Sequence, residues 1–279
     1  MSITNNFASE ASLPAINPSE LKEDQFRAYN IILWHLEQTL ANKRPPPLQM
    51  IIYGEGGTGK SKVIQTVTEA FVQKGVKYML LKSAYTGIAA SLINGKTTYV
   101  IGHISLNAAG KISNKAKAKL QQFWKHYTYL IIDEYSMIGK AFLALLSQSV
   151  DIGQGGTEIN SHHHSFSRVN VVLCGDLHQF PPVATKPTEA LYHPINPISN
   201  NTESLLGQKI YEEFTMVIIL KQQMRVTDKL WRDFLVHLRH GCMQDKHINM
   251  LKAMVISKPN QQSTDFTSED WANMSLVTP

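Results

Sequence analysis

Eight consecutive residues have the types and the spacing of a loop that binds phosphate. The segment Gly54–Ser61 reads Gly-Glu-Gly-Gly-Thr-Gly-Lys-Ser and fits the pattern G-x-x-x-x-G-K-S/T. Glycines let the backbone wrap a phosphate group, so that successive N–H groups and the N-terminus of the next helix face it. An apolar run precedes the segment and an amphipathic helical pattern follows it, which favours a phosphate site over a glycine-rich turn that binds nothing. The residues predicted to bind nucleotide here are Gly54, Gly56, Gly57, Thr58, Gly59, Lys60 and Ser61.

Two adjacent carboxylates have the chemistry that phosphate hydrolysis needs. Asp133 and Glu134 directly follow the apolar run Tyr129–Ile132. We expect Lys60 to bridge the β- and γ-phosphates of ATP, and Ser61 and Asp133 to hold Mg²⁺. Glu134 would orient and deprotonate the attacking water. A kinase needs no such carboxylate beside its magnesium ligand, so the pair favours hydrolysis over phosphate transfer to another substrate.

Polar residues also follow a third apolar run. Val169–Cys174 leads into Gly175–Pro182, which contains Gln179. Ligands of open α/β sheets bind outside the carboxyl ends of the strands, so three strand ends are expected to meet at one site. Gln179 is predicted to hydrogen-bond the γ-phosphate, and an ordinary loop amide is the alternative for this residue taken alone.

The elements that must position these residues alternate between apolar runs and helical patterns. The runs are almost continuously hydrophobic, which is typical of strands covered on both faces of a parallel sheet. They are Leu48–Tyr53, Tyr78–Leu81, Tyr129–Ile132, Val169–Cys174 and Val217–Leu220. A helical pattern precedes them, with Ser19 as its predicted N-cap and Leu40 as the last residue of its apolar face. This alternation predicts an α/β doubly wound domain.

Composition excludes several classes of protein. The chain has 279 residues, of which 43% are hydrophobic and 18% charged, and its net charge is +5. That charge permits a polyanionic partner without requiring one. No apolar run reaches the roughly 18–20 residues that span a bilayer, and the polar N-terminus predicts no targeting leader. Cys174 and Cys242 are too few for a disulfide scaffold and have no metal-ligand spacing, so we expect a reducing compartment.

Three further signals each allow two interpretations. His162–His164 are predicted to form a loop tip rather than a metal site, because consecutive histidines point in different directions. The lysines of Lys111–Lys125 are predicted to form a solvated helix face, although they could instead follow a DNA backbone. Trp231, Phe234 and Leu238 are predicted to lie in the core.

Taken in order along the chain, the motifs resemble those of a known family. The sequence is similar to the Pif-family (petite integration frequency) 5′-to-3′ DNA helicases of superfamily 1, in their fungal and rolling-circle-transposon branch. The matching segments are Leu21–Gln25, Gly54–Ser61, Ser83–Ala90, Gly102–Ser105, Asp133–Ser136, Gly175–Pro182 and Leu220–Arg225. The resemblance implies a P-loop NTPase with a RecA-like parallel β-sheet flanked by helices, ATP and Mg²⁺ as cofactors, and single-stranded or duplex DNA as partner.

The resemblance also implies residue roles. Gln25 would read adenine, and Arg225 would contact the γ-phosphate, with a surface ion pair as the alternative. Thr86, Gly87 and His103 would contact single-stranded DNA, although His103 could instead be a satisfied histidine at a strand end. Family roles in DNA repair, recombination and telomere maintenance follow, together with a nuclear or, alternatively, mitochondrial location.

The same resemblance sets expectations for domains and activity. We expect a flexible lead-in at 1–18, the RecA-like ATPase domain at 19–243, and a linker or the start of a second helicase domain at 244–279. Nothing after Arg225 resembles the family's motifs V and VI, so the second RecA-like domain is expected to be missing or truncated. The predicted function is an ATP-dependent DNA helicase. The alternative is a truncated nucleotide- and DNA-binding module without unwinding activity, and no membrane partner or further small-molecule substrate is expected.

Overall fold

Six strands and nine helices are found in the part of the chain that the structure, a computed structural model, describes: residues 14–104, 113–156, 165–183, 185–195 and 201–255. The strands are β1 (Gln49–Gly54), β2 (Leu80–Ala84), β3 (Lys96–Thr97), β4 (Tyr129–Asp133), β5 (Asn170–Gly175) and β6 (Met216–Leu220). The helices are α1 (Glu23–Leu40), α2 (Lys60–Gln73), α3 (Gly87–Leu92), α4 (Thr98–Gly102), α5 (Asn114–Trp124), α6 (Lys140–Gly153), α7 (Thr202–Glu212), α8 (Lys229–Arg239) and α9 (Asp245–Ala253).

The strands form one sheet in the order β3-β2-β4-β5-β1-β6, and every neighbouring pair is parallel. All carboxyl ends therefore lie at the same edge. In the register, Gly54 pairs with Leu220, and Ala84 pairs with Asp133. The loops that follow these strands are thus brought side by side at one edge of the sheet, as the sequence predicts.

Hydrophobic cores cover both faces of this sheet. On one face, Ile32 and Leu36 of α1 pack with Val63 and Phe71 of α2 in a single cluster. On the other face, the cluster includes residues of α5, α6 and α7: Trp124, Leu143, Leu146 and Ile210. Burial on both sides explains the continuous apolar runs, and the predicted α/β, RecA-like fold class is confirmed.

Three details of the secondary structure differ from the prediction. Ser19 is not the N-cap of the first helix, because Asn17 Oδ1 accepts the hydrogen bond from the Ser19 N–H at 3.0 Å and caps a separate 3₁₀ turn, Pro18–Glu20. Tyr78 lies in another 3₁₀ turn with 59% of its surface exposed, so β2 begins later than predicted. Strand β3 has only two residues and no apolar run that could reveal it.

The chain consists of two compact units, Met1–Arg225 and Val226–Pro279. The predicted domain boundary after residue 243 stays a prediction. In the described part of the second unit, Phe234 is buried, whereas Leu238 is 52% exposed and Trp231 is half-buried, so placing all three in the core was wrong. No helix among the described residues is long and apolar enough to cross a membrane.

Candidate functional site

The predicted phosphate loop joins β1 to α2 at the carboxyl edge of the sheet. Gly54 ends β1, and Lys60 begins α2. Gly57 and Gly59 have φ angles of +89° and +88°, a backbone region that favours glycine. The loop therefore leads directly into the N-terminus of a 14-residue helix, where unpaired N–H groups favour an anion.

Lys60 is held inside this loop. Its Nζ donates hydrogen bonds to the carbonyl oxygens of Gly54 and Glu55 at 2.7 Å and 3.2 Å, and the side chain is buried. These two acceptors fix the ammonium group where phosphate oxygens of a bound nucleotide can take over as its partners. The predicted role of Lys60 fits this placement.

Three glutamines from distant parts of the chain surround the loop. Nε2 of Gln25 donates to the carbonyl oxygen of Thr58 at 2.8 Å, and Nε2 of Gln223 donates to that of Gly56 at 2.8 Å. A Cβ atom built on Gly56 would lie 2.9 Å from Nε2 of Gln179. Two of these glutamines carry predicted site roles; the third, Gln223, lies in a matching motif but was given no role of its own.

The two predicted catalytic carboxylates lie at the carboxyl end of β4, with Asp133 as its last residue and Glu134 directly after it. Asp133 is buried, and this burial, together with the charge of Glu134, raises its pKa to about 6, while the charge of Lys60 acts in the opposite direction. Burial also raises the pKa of Glu134, which Lys60 again opposes. Lys60 is therefore close enough to both carboxylates to act on their charges.

The backbone of Glu134 is unusual for a residue with a side chain. Its φ is +53°, and its N–H donates to Oδ1 of Asp133 at 3.0 Å. Its Oε2 is buried and accepts no hydrogen bond from the described residues. Strained backbone and an unsatisfied buried oxygen are costly, and such features concentrate at functional sites.

The segment after β5 forms a tight turn around a buried carboxylate. Oδ1 of Asp176 accepts a hydrogen bond from the N–H of His178 at 3.1 Å, and the N–H of Gln179 donates to the carbonyl oxygen of Asp176 at 3.0 Å. His178 also lies 3.2 Å from the hydroxyl of Tyr53. This turn sets the position of Gln179 beside Gly56.

The segment after β6 lies against the phosphate loop. The N–H of Met224 donates to the carbonyl oxygen of Gly57 at 2.8 Å, and a Cβ on Gly57 would lie 2.8 Å from Cβ of Arg225. Within the described ranges, no carboxylate lies at ion-pairing distance from the exposed guanidinium of Arg225. The described residues therefore give no support to the surface ion pair, and the γ-phosphate role of Arg225 stays a prediction.

A pocket of about 220 Å³ opens beside the loop, where the base of a nucleotide would be expected. Gln25 lies in its wall with its side chain already engaged, since Oε1 accepts the N–H of Lys22 at 3.0 Å. The amide of Gln25 retains one free hydrogen and one free lone pair for a base. The pocket is lined by Lys22, Glu23, Asp24, Gln25, Thr58, Leu220, Lys221 and Gln222.

The predicted DNA-contact residues lie elsewhere on the edge, separated from the phosphate loop by β4 and β5. Thr86 caps α3, with its Oγ1 accepting from the N–H of Ala89 at 3.2 Å, and a Cβ on Gly87 would meet no atom within 4 Å. His103 is the C-cap of α4 with a φ of +49°, so it does not lie at a strand end, and its DNA-contact role stays a prediction. Its ring lies 6.1 Å from that of Phe123.

The remaining basic and histidine signals are only partly described. On α5, Lys115 and Lys119 are exposed while Leu120 and Trp124 are buried, which fits a solvated helix face. The residues Ser105, Lys111 and His162–His164 lie outside the described part of the chain.

Sequence reasoning missed one cluster in the second unit. Asp233 accepts hydrogen bonds from Nζ of Lys246 at 2.6 Å and Nε2 of His247 at 2.9 Å, which hold the pKa of its carboxyl at about 2. His237 lies one helical turn from Asp233. The side chains of Asp233, His237 and His247 each offer an atom of the type that binds metals, and these atoms lie within 4.8 Å of one another. The Asp-x-x-x-His spacing on α8 was the available signal. Because Lys246 already forms an ion pair with this carboxylate, we interpret the cluster as a set of hydrogen bonds that joins α8 to α9.

Comparison with known proteins identifies relatives of the chain. Residues 20–246 match the sequence model of the PIF1-like helicase family. The chain is 28% identical over 232 residues to the ATP-dependent DNA helicase RRM3 of Saccharomyces cerevisiae, a match that covers 81% of this chain and 28% of that protein. It is 28% identical over 193 residues to the ATP-dependent DNA helicase PIF1 of Candida albicans, covering 62% of this chain and 20% of that protein.

Solved structures show the same fold. The crystal structure of Pif1 helicase from Candida albicans superposes with a TM-score of 0.61 at 24% identity, covering 86% of this chain and 48% of that one. A Pif1 helicase from Bacteroides in complex with ADP-AlF3 and ssDNA superposes with a TM-score of 0.55 at 20% identity, covering 82% of this chain and 51% of that one. The chain spans less than a third of the two curated relatives.

Proposed function

Because the chain belongs to the PIF1-like helicase family, as its ordered motifs predict, we propose that it binds and hydrolyses ATP as the nucleotide-binding domain of a DNA helicase. Movement in the 5′-to-3′ direction on single-stranded DNA, and duplex unwinding driven by that movement, are part of the proposal. The named relatives are ATP-dependent DNA helicases, which supports it.

One observation carries the proposal: four strand ends bring the predicted catalytic groups to one loop. Gly54 ends β1 and begins the phosphate loop, Asp133 ends β4, and Glu134, Gln179 and Arg225 follow β4, β5 and β6 at the same edge of the sheet. A buried carboxylate pair beside a lysine is costly in a protein that binds nothing there. The arrangement is suited to a polyanionic substrate accompanied by a divalent cation.

The residues present fit Mg²⁺. The buried Asp133 carboxylate and the hydroxyl of Ser61 are hard oxygen donors of the type that Mg²⁺ prefers, and a cation beside Asp133 would offset the burial that raises its pKa. Ser61 and Asp133 would hold the ion, which would neutralise charge on the β- and γ-phosphate oxygens.

The chain's own residues supply the rest of the hydrolysis step. Glu134 would accept the proton of the attacking water, and its raised pKa makes it a stronger base than an exposed glutamate. Lys60 and Arg225 would stabilise the negative charge on the transferring phosphoryl group, and Gln179 would hydrogen-bond its oxygens. Gln25 would contact the base from the wall of the adjacent pocket.

Contacts with DNA belong to the other part of the edge. Thr86 and Gly87 at the start of α3 can approach a DNA phosphate closely, because Gly87 has open space around it. His103 can bond a phosphate or stack on a base. Roles in repair, recombination and telomere maintenance, and a nuclear location, are further parts of the proposal that rest on the family resemblance.

The second candidate function is a nucleotide- and DNA-binding module that does not unwind. The chain matches 28% of the length of RRM3, and this candidate describes what these residues do on their own. Both candidates bind ATP and DNA, so a measurement of duplex unwinding is what distinguishes them.

The test is ATP hydrolysis with and without single-stranded DNA, together with unwinding of duplexes that carry a 5′ or a 3′ tail. Lys60→Ala should abolish ATP binding, and Glu134→Gln should lower turnover about 10²- to 10⁴-fold while ATP still binds. Matched surface variants are Lys74→Ala and Glu69→Gln, which should behave like the unaltered chain, since Glu69 is exposed in the last turns of α2 and Lys74 is the exposed residue that follows the helix.

The outcomes separate the candidates. DNA-stimulated hydrolysis with unwinding of the 5′-tailed duplex supports the helicase, and binding of ATP and DNA without unwinding supports the module. If the unaltered chain binds no ATP, both candidates fail.

A further inference from the structure

Gln223 links the phosphate loop to the arginine segment through both ends of its amide. Nε2 of Gln223 donates to the carbonyl oxygen of Gly56 at 2.8 Å, and Oε1 accepts from the N–H of Arg225 at 3.0 Å. Gly56 is 167 residues away in sequence, whereas Arg225 is two residues away. One side chain thus fastens a distant loop and a neighbouring backbone group together.

The arginine segment and the phosphate loop pack closely around this amide, and a second hydrogen bond joins them. The N–H of Met224 donates to the carbonyl oxygen of Gly57 at 2.8 Å. A Cβ atom on Gly57 would collide with Oε1 of Gln223 and come within 2.8 Å of Cβ of Arg225. The backbone from Gln223 to Arg225 therefore lies directly on the two central glycines of the phosphate loop.

The chemistry of the amide makes this role specific. A glutamine side chain is both donor and acceptor, whereas glutamate has no donor for the Gly56 carbonyl and leucine has neither group. The guanidinium of Arg225 is exposed and is carried on a long flexible stem, so its reach depends on where its backbone is held.

We propose that Gln223 is a positioning residue that holds Arg225 against the phosphate loop and thereby sets the preference for ATP over ADP. It acts through Arg225, since the γ-phosphate is the group that distinguishes the two nucleotides. The inference rests on the proposed function, because it takes the γ-phosphate as the ligand of Arg225.

The test measures ATP and ADP affinities for the full chain and for Gln223→Leu, Arg225→Ala and the double variant. Gln223→Leu should lower the ATP/ADP affinity ratio roughly 3- to 10-fold, the range that loss of one or two hydrogen bonds produces, with ADP affinity nearly unchanged. In the Arg225→Ala background the same substitution should change the ratio less than twofold, because the residue acts through the arginine.

Two further variants sharpen the test. Gln223→Glu keeps an acceptor for the Arg225 N–H, loses the donor to Gly56 and adds a negative charge beside the phosphates, so it should lower the ATP/ADP affinity ratio at least as much as Gln223→Leu does. Gln73→Ala is the matched control, since Gln73 is an exposed glutamine at the end of α2 that bonds only Glu69 among the described residues, and it should leave the ratio unchanged.

Each result decides the inference. Equal losses of ATP and ADP affinity in Gln223→Leu would mean that Gln223 only supports the phosphate loop. An undiminished effect of Gln223→Leu in the Arg225→Ala background would mean that Gln223 acts independently of Arg225. Either result overturns the inference while the proposed function stands. If the unaltered chain binds neither nucleotide, the proposed function fails and the inference fails with it.

Discussion

The two groups of predicted ligand-binding residues share one edge of the sheet but are built differently. Around the phosphate loop, hydrogen bonds join residues far apart in sequence, as from Gln25 to Thr58 and from Gln223 to Gly56. Around α3, the bond from the Ala89 N–H to Oγ1 of Thr86 is local, and a Cβ on Gly87 would meet nothing within 4 Å. One region is enclosed by tertiary contacts, and the other is open.

This difference fits the two kinds of ligand that we propose for these residues. Hydrolysis requires charged groups held in fixed positions away from water, which tertiary hydrogen bonds and buried carboxylates provide. A DNA strand that must slide needs a surface its backbone can approach and leave. The comparison predicts that substitutions at the phosphate loop have large effects and that equivalent substitutions at α3 have small ones.

The largest effect is expected from Gly57→Ala. The positive φ of Gly57 strains any other residue, and the added methyl group would collide with Gln223 and crowd Arg225. Isothermal titration should show ATP affinity reduced at least 100-fold. The matched control is Gly75→Ala, where φ is +71° but nothing lies within 4 Å, so it should cost about 1 kcal/mol of stability and leave ATP affinity unchanged. ATP affinity within threefold of normal in Gly57→Ala would contradict the idea of an enclosed loop.

An intermediate effect is expected from the buried carboxylate. Burial raises the pKa of Asp133 from 3.8 to about 6, so its contribution to stability is fully present below pH 3.8 and is lost as the pH rises through 6. We therefore compare the free energy of unfolding of Asp133→Asn with that of the unaltered chain, in the absence of metal and nucleotide. This difference should favour the variant more at pH 8 than at pH 4, by on the order of 1–3 kcal/mol. The same variant should lose Mg²⁺-dependent hydrolysis.

Urea unfolding at the two pH values measures this difference. Glu69→Gln, at an exposed position on α2, is the control and should show the same stability as the unaltered chain at both pH values. If the difference between Asp133→Asn and the unaltered chain does not change with pH, Asp133 is not a buried carboxyl that titrates in the folded state.

The phosphate loop itself was predictable because its signal is local in sequence, whereas the tertiary contacts that enclose it were not. The pattern Gly54–Ser61 alone specifies a loop and the start of a helix, and the apolar run Tyr129–Ile132 predicts the strand that ends at Asp133. The link through Gln223 could not be read from sequence, since a glutamine hydrogen bond to a carbonyl 167 residues away leaves no periodic signal. The capping by Asn17 was missed for a different reason: Asn17 and Ser19 are both good caps by type, so the local sequence does not distinguish between them.

The smallest effect is expected from Gly87→Ala, and it is the sharpest test of the open region. Gly87 does not have a positive φ, and an added methyl group would meet no atom within 4 Å, so stability should change by no more than about 0.5 kcal/mol and ATP affinity should not change. If DNA approaches the backbone at this point, the methyl group will lower affinity for a fluorescent oligothymidylate a few-fold at constant salt concentration. Gly75→Ala should leave DNA affinity unaltered. A large loss of ATP affinity in Gly87→Ala would contradict the comparison. Because the added methyl group meets no atom of the protein, such a loss would mean that the nucleotide, or an element that moves when it binds, contacts α3 at this position.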